Sequence, residues 1–242
     1  MELYARWVLG RPRDRIYEKR VRDIVPRLAR LIERRLASEN GVGACVNVAT
    51  MMARMLDRLE VWSFAVQGSL TVEMPSRPDV GRRYFSECDL LDHEDNVTGH
   101  GWLAAPPFIV VDPTLKHQQW VDLHPAIAAC LPDVVVAERA EIVRPRWFDV
   151  VGDTLIEKYC IQPSDLTAEL PYRFKPDLAH VEQFLPGRNV RIGDLSLRYI
   201  AGAVKISDVE LEELPCVSPH GTNLTPKRLW EEIVYPELAG RG

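Results

Sequence analysis

Between Cys45 and Leu59 the apolar residues Val48, Met52, Met55, Leu56 and Leu59 recur at the three-to-four spacing of a helix that buries one face. Asn40, Gly41 and Gly43 lead into them, so the spacing predicts a helix whose first turn carries Cys45. Upstream, from Arg13 to Ser38, Val21, Ile24, Leu28, Leu31, Ile32 and Leu36 share another stripe, and arginines occupy much of the rest. Pro26 interrupts it. Either that helix kinks, or a new one begins with Pro26 in its first turn, where the missing N–H costs nothing. The period then changes to two: Trp62, Phe64, Val66, Leu70 and Val72 alternate with Ser63, Gln67, Ser69, Thr71 and Glu73, which predicts a half-buried strand.

Met74 to Val80, with two prolines, reads as a loop, and Cys88 to Asn96 as an acidic connection. Next comes GHGWLAAPPFIVVDPT, from Gly99 to Thr114, whose two apolar runs flank Pro106 and Pro107 and predict an antiparallel hairpin. A turn centred near Pro106 sets His100 directly across from Asp112, on the face that carries Trp102 and Val110. Directly opposed Cβ atoms lie about 4.5–5.5 Å apart, close enough for a carboxylate to accept an imidazole N–H. Further on, Val134 to Ala137, Ile142 to Val143 and Leu195 to Val204 read as strands, the last with Gly202 as a bulge. Asp177 to Leu185 reads as a short helix. Thr225 and Pro226 open a final one as N-cap and first residue, with Leu229, Trp230, Ile233, Val234 and Leu238 on its buried stripe. The expected class is α+β, a helix bearing Cys45 packed on an antiparallel sheet bearing His100 and Asp112.

At 242 residues the chain can bury a substantial core. Its net charge of −5 argues against a nucleic-acid partner held by overall attraction, although the first forty residues are locally basic and can form a patch. Five cysteines without a CxxC pair fit neither a disulfide framework nor a structural zinc site, and suit a reducing compartment. The N-terminus lacks the apolar run of a secretory leader, and no run elsewhere approaches the ~20 residues of a membrane span. The expected address is the cytoplasm, with no membrane partner.

The unpaired amides and positive dipole end at a helix start favour a thiolate, which makes Cys45 a candidate nucleophile; the plainer reading is a small hydrophobe at the buried start of a core helix. His100 is likewise either a packed strand residue or a base, and Asp112 either a turn former or the group that orients that base. Together they fit a nucleophile, base and orienter constellation. Cys88, Asp92, His93 and His100 can be drawn as a metal site, but their spacing matches no zinc pattern, and the acidic neighbours of Cys88 make it a poorer nucleophile. Gly41 and Gly43 form only a GxG, short of a phosphate-binding loop, and neither metal nor cofactor is expected.

GVGACVNVATMMARMLDRLEVWSFAVQG, followed by GHGWL and VVDPT, resembles the transglutaminase-like branch of the papain-like cysteine enzymes, in which a helix-start Cys precedes a strand His and a following strand Asp. The resemblance covers residues 35–116, about a third of the chain. It implies Cys45 as nucleophile, His100 as general base and acid, and Asp112 as the group that fixes the imidazole. Trp102 matches the family's tryptophan two residues after the histidine, with strand packing as its plainer role. Asn40 stands upstream much as a glutamine does in papain-like relatives, so it is an oxyanion candidate beside the Cys45 amide, or an ordinary turn residue beside Gly41. On this resemblance residues 1–120 form a transglutaminase-like catalytic core with N-terminal helices. Residues 121–242 form a C-terminal extension of mixed strands and helices, separate from that core or integral to it.

The family includes transglutaminases, peptidases, deglycosylating amidases and amide-forming enzymes, so the resemblance implies acyl transfer without naming a substrate. Amide formation between a small-molecule, peptidyl or carrier-bound acyl donor and an amine acceptor is the expectation. A hydrolysing peptidase or amidase, and an inactive binding protein or scaffold of the same fold, are the alternatives.

Overall fold

The computed structural model describes residues 1–38, 45–80, 82–85, 99–118, 120, 123–206, 209–214 and 225–238, with backbone alone at 82–85 and 153–154. Helices α1 (Glu2–Gly10), α2 (Arg15–Ser38) and α3 (Cys45–Arg58) come first. Strands β1 (Phe64–Glu73), β2 (Arg82–Phe85), β3 (His100–Ala105) and β4 (Phe108–Asp112) follow. After α4 (Pro125–Cys130) come β5 (Val135–Ala137) and β6 (Glu141–Val143). Four short helices, α5 (Trp147–Val150), α6 (Asp153–Lys158), α7 (Leu170–Phe174) and α8 (Leu178–Val181), lead to β7 (Gly187–Ile192) and β8 (Leu195–Lys205). Helices α9 (Pro226–Leu229) and α10 (Tyr235–Leu238) are joined by a π-helical turn at Trp230–Val234.

The chain is α+β. Among the described residues, eight strands form one antiparallel sheet in the order β5-β4-β3-β1-β8-β7-β6, with β2 also beside β1. β1 is its centre. The first half of β1 pairs with β3, the second half with β2, and β8 runs along the other edge. The expectation of a half-buried β1 is therefore corrected: every residue from Phe64 to Val72 is buried. Alternation separated its two faces, but both are covered, and a polar side chain there can find its partner inside the protein. Thr71 Oγ1, for example, donates to Asp149 Oδ1 at 2.9 Å.

α2 passes unbroken through Pro26, and it also buries Val25 and Ala29, which widens the expected stripe. With α3 and the C-terminal helices it covers one face of the sheet, where Leu28, Ile32, Met52, Leu56, Leu103 and Leu229 share a core. Thr225 caps α9 by accepting the Arg228 N–H at 3.2 Å, as its place before Pro226 predicts. The opposite face buries Phe64, Val66, Trp102, Val110, Leu197 and Tyr199 beneath residues of α1 and α4. A smaller cluster, with Val150, Leu155, Leu170 and Leu178 around Ile200, seats the short helices on β8.

β8 holds the second half of the chain to the first. Its register against β1 slips by one residue between Gln67 and Gly68, with Gly202 as the extra residue, the bulge expected there. A Cβ on Gly68 would collide with the Ile200 carbonyl, so the strands come this close only at glycine. Arg198 is almost fully buried and pairs with buried Asp149, Nη2 to Oδ2 at 2.7 Å, while the same Nη2 also donates to the Arg144 carbonyl at 2.9 Å. Side chains alternate along a strand, so the next residue, Tyr199, points to the opposite face. There it meets Asp112. Among the described residues no helix is long and apolar enough to cross a membrane.

Candidate active site

Cys45 is the first residue of α3 and is 6% exposed. The helix lies against β3 and comes closest at Gly101, where a Cβ would sit 2.7 Å from Val46 Cα and 2.8 Å from Val46 N. Glycine lets the first turn settle onto the strand. This brings the cysteine beside His100, the residue before that glycine.

β3 and β4 pair Ala105 with Phe108 and Leu103 with Val111, and the register shifts between these pairs because β4 carries one extra residue. The expectation that His100 stands directly across from Asp112 is corrected accordingly. Carried one pair further, the observed register sets Asp112 across from Trp102 and leaves His100 diagonal to it. Diagonal neighbours are separated by about 7–8 Å, and a ring side chain spans that gap. His100 Nε2 bonds Asp112 Oδ2 at 2.7 Å, with both side chains fully buried.

Asp112 both forms a turn and bonds His100. Its Oδ1 accepts the Thr114 N–H and the Thr114 hydroxyl, each at 2.8 Å, which is the turn that the D-P-T sequence favours. Its Oδ2 takes His100 and also the Tyr199 hydroxyl, at 3.0 Å. Burial works to raise this carboxyl, but the His100 charge and the bonds from His100 and Thr114 outweigh it and hold the group below its ordinary value.

Burial likewise opposes charge on His100. The Asp112 charge and hydrogen bond, together with Cys45, prevail and raise the imidazole to about 10. The ring is therefore charged at neutral pH. Its Nε2 is committed to Asp112, which leaves Nδ1 for a thiol or thiolate. Trp102 and Tyr199 close the site from the side: the tryptophan stacks on the imidazole at 6.4 Å between centroids and meets Tyr199 edge-on at 5.2 Å. Burial and then the neighbouring carboxylate push the Tyr199 hydroxyl well above 10, so it remains a donor.

Comparison with protein-family models, with curated proteins and with solved structures gives no match for this chain.

The structure thus brings Cys45, His100, Asp112 and Trp102 together. Asn40 lies outside the described residues, as do Cys88, Asp92 and His93 of the drawn metal site. Among the described residues no group of three or more His, Cys, Asp or Glu is placed to hold a metal ion. A groove of about 430 Å³ runs between Tyr159 and Phe174, and none of the four residues lines it.

Three participants were missed in the sequence. Gly101 was visible only as part of GHGWL, and Thr114 only as the end of D-P-T. Tyr199 had one local signal, its place on the apolar face of a strand, where a hydroxyl needs a partner. Nothing local names Asp112 as that partner.

Proposed function

We propose that the protein is a cysteine-dependent acyltransferase of the transglutaminase-like, papain-like kind, with Cys45 as nucleophile. The observation that carries this reading is one imidazole, His100, with Asp112 bonded to one nitrogen and Cys45 beside the ring. A cation beside a sulfur favours the thiolate, the form that attacks carbonyl carbon.

In the proposed cycle the Cys45 thiolate adds to the carbonyl of a thioester or amide donor. The amides of the first turn of α3 lack intrahelical acceptors and face the developing oxyanion. Collapse breaks the bond to the leaving group, which takes a proton from the His100 imidazolium, and leaves a thioester on Cys45 and a neutral ring. An amine then attacks that thioester and gives its proton to His100. Collapse expels the sulfur as thiolate, releases an amide and restores the starting pair. Asp112 keeps the ring in one orientation, and Trp102 shields the His100–Asp112 bond. The chemistry needs no cofactor.

Amide formation is preferred to hydrolysis because residues 121–242, beyond the helix and hairpin that carry the candidate site, suit recognition of one particular donor or acceptor. Water is present at tens of molar, but a bound amine reaches effective molarities of about 10⁵ M or more, which reverses that advantage.

Intact-protein mass spectrometry with an acyl thioester donor tests the reading. An adduct on Cys45 that persists alone and discharges when an amine is added supports it. An adduct that hydrolyses at one rate whatever amine is present favours an amidase. The absence of any adduct across a donor panel favours a binding protein of the same fold.

A further inference from the structure

Arg188 stands in β7 directly across from Tyr199 of β8. It is half-buried, and burial lowers its pKa with no carboxylate acting in the other direction. Among the described residues no ion pair or hydrogen bond is formed with its guanidinium. A partly dehydrated cation without a partner is costly, which sets this arginine apart from buried Arg198 with its carboxylate and carbonyl.

Arg188 lines a cavity of about 40 Å³ whose other walls include Trp102, Phe184, Leu185, Tyr199 and Ala201. At about 10–15 Å³ for each water-sized group, that space holds roughly three non-hydrogen atoms. A pocket of apolar walls with one cation on its lining suits a ligand with a short apolar tail and one anionic end. The planar fork of an arginine matches a carboxylate through two parallel N–H donors.

We propose that this cavity is a binding site for a short-chain organic carboxylate, with its carboxylate on Arg188 and about three tail carbons packed between Trp102, Phe184 and Tyr199. The occupant would lie against Tyr199, the residue that bonds Asp112 Oδ2, and so one side chain away from the His100–Asp112 pair. The site goes beyond the acyl-transfer reading and rests on none of its steps.

Isothermal titration calorimetry of the full chain tests it, with butyrate as the probe and butanol and inorganic phosphate as controls. Butyrate should bind saturably, and butanol and phosphate at least about tenfold more weakly, since each lacks one half of the match. Arg188→Gln should lower butyrate affinity about tenfold or more without lowering the Tm, because it removes a charge that has no ion-pair partner among the described residues. Ala201→Leu, which fills the cavity, should weaken butyrate as much. Cys45→Ala should bind butyrate like the wild type, which keeps this result separate from any result on acyl transfer. The proposal is overturned if wild-type protein shows no saturable butyrate binding, if Arg188→Gln or Ala201→Leu binds it unchanged, or if phosphate or butanol binds as tightly.

Discussion

The Tyr199 hydroxyl donates to Asp112 Oδ2 at 3.0 Å, on the same oxygen that takes His100 Nε2. A strand from the second half of the chain thereby fixes the carboxylate that orients the imidazole. Tyr199→Phe keeps the ring against Trp102 and removes this anchor alone. Losing a hydrogen bond to a charged group costs about 1.5–3 kcal/mol. Thermal denaturation should show a Tm lower by several degrees, and turnover should fall about tenfold as the carboxylate gains freedom. An unchanged Tm with unchanged turnover would show that the hydroxyl has no part in positioning Asp112.

Gly101→Ala acts from the opposite side of β3. Its new Cβ meets Val46 Cα and N at 2.7 and 2.8 Å, distances that backbone atoms cannot relieve without moving the first turn of α3. Cys45 moves with that turn. A displacement of about 1 Å in a reacting group can cost 10²-fold, and a loss of that order in turnover is expected from a chain that still folds. Activity within a factor of two of wild type would mean that the cysteine's height on the strand is unimportant.

Cys45→Ala and His100→Ala should each abolish turnover, and the double variant should be no worse than either, because a nucleophile and its base act as a unit. Asp112→Asn should retain a small part of the activity, since it disturbs ring orientation without removing the attacking sulfur. Purely additive losses in a kinetic double-mutant cycle would separate Cys45 from His100.

The shifts on the buried pair set a pH dependence. His100 is raised from 6.5 to about 10, so its stabilisation is fully present below about pH 6.5 and is lost progressively as pH rises to about 10. Asp112 is lowered from 3.8, so its stabilisation is present above about pH 3.8 and is lost as pH falls through its depressed value. The stability difference between wild type and Asp112→Asn, read from urea midpoints, should therefore be greatest between about pH 4 and 6.5 and shrink toward pH 10. A difference that grows with pH above neutrality would reverse the assigned sign.

Much of the site was legible because its parts are local. A helix start, a hairpin and an Asp-Pro-Thr turn are each set by a few neighbouring residues, and the hairpin alone placed His100 and Asp112 on one face. The exact pairing was not legible, because an extra residue in β4 leaves no mark in the apolar pattern of FIVVD. Nor was the burial of both faces of β1: Gln67, Ser69 and Thr71 have polar side chains that signal water until partners such as Asp149 are known. Tyr199 lies 87 positions from Asp112, and their contact depends on β8 pairing with β1, a long-range choice that no local periodicity encodes.

Cys45 reactivity toward an alkylating agent is the measurement closest to the central claim. Iodoacetamide alkylation, followed residue by residue by mass spectrometry, has exposed Cys130 and Cys160 as internal standards. The rate at Cys45 should exceed both at neutral pH, because a cation beside a sulfur favours the attacking thiolate. In His100→Ala that advantage should disappear. A Cys45 rate that tracks Cys130 and Cys160 in the wild type, or that is indifferent to His100→Ala, would contradict the account.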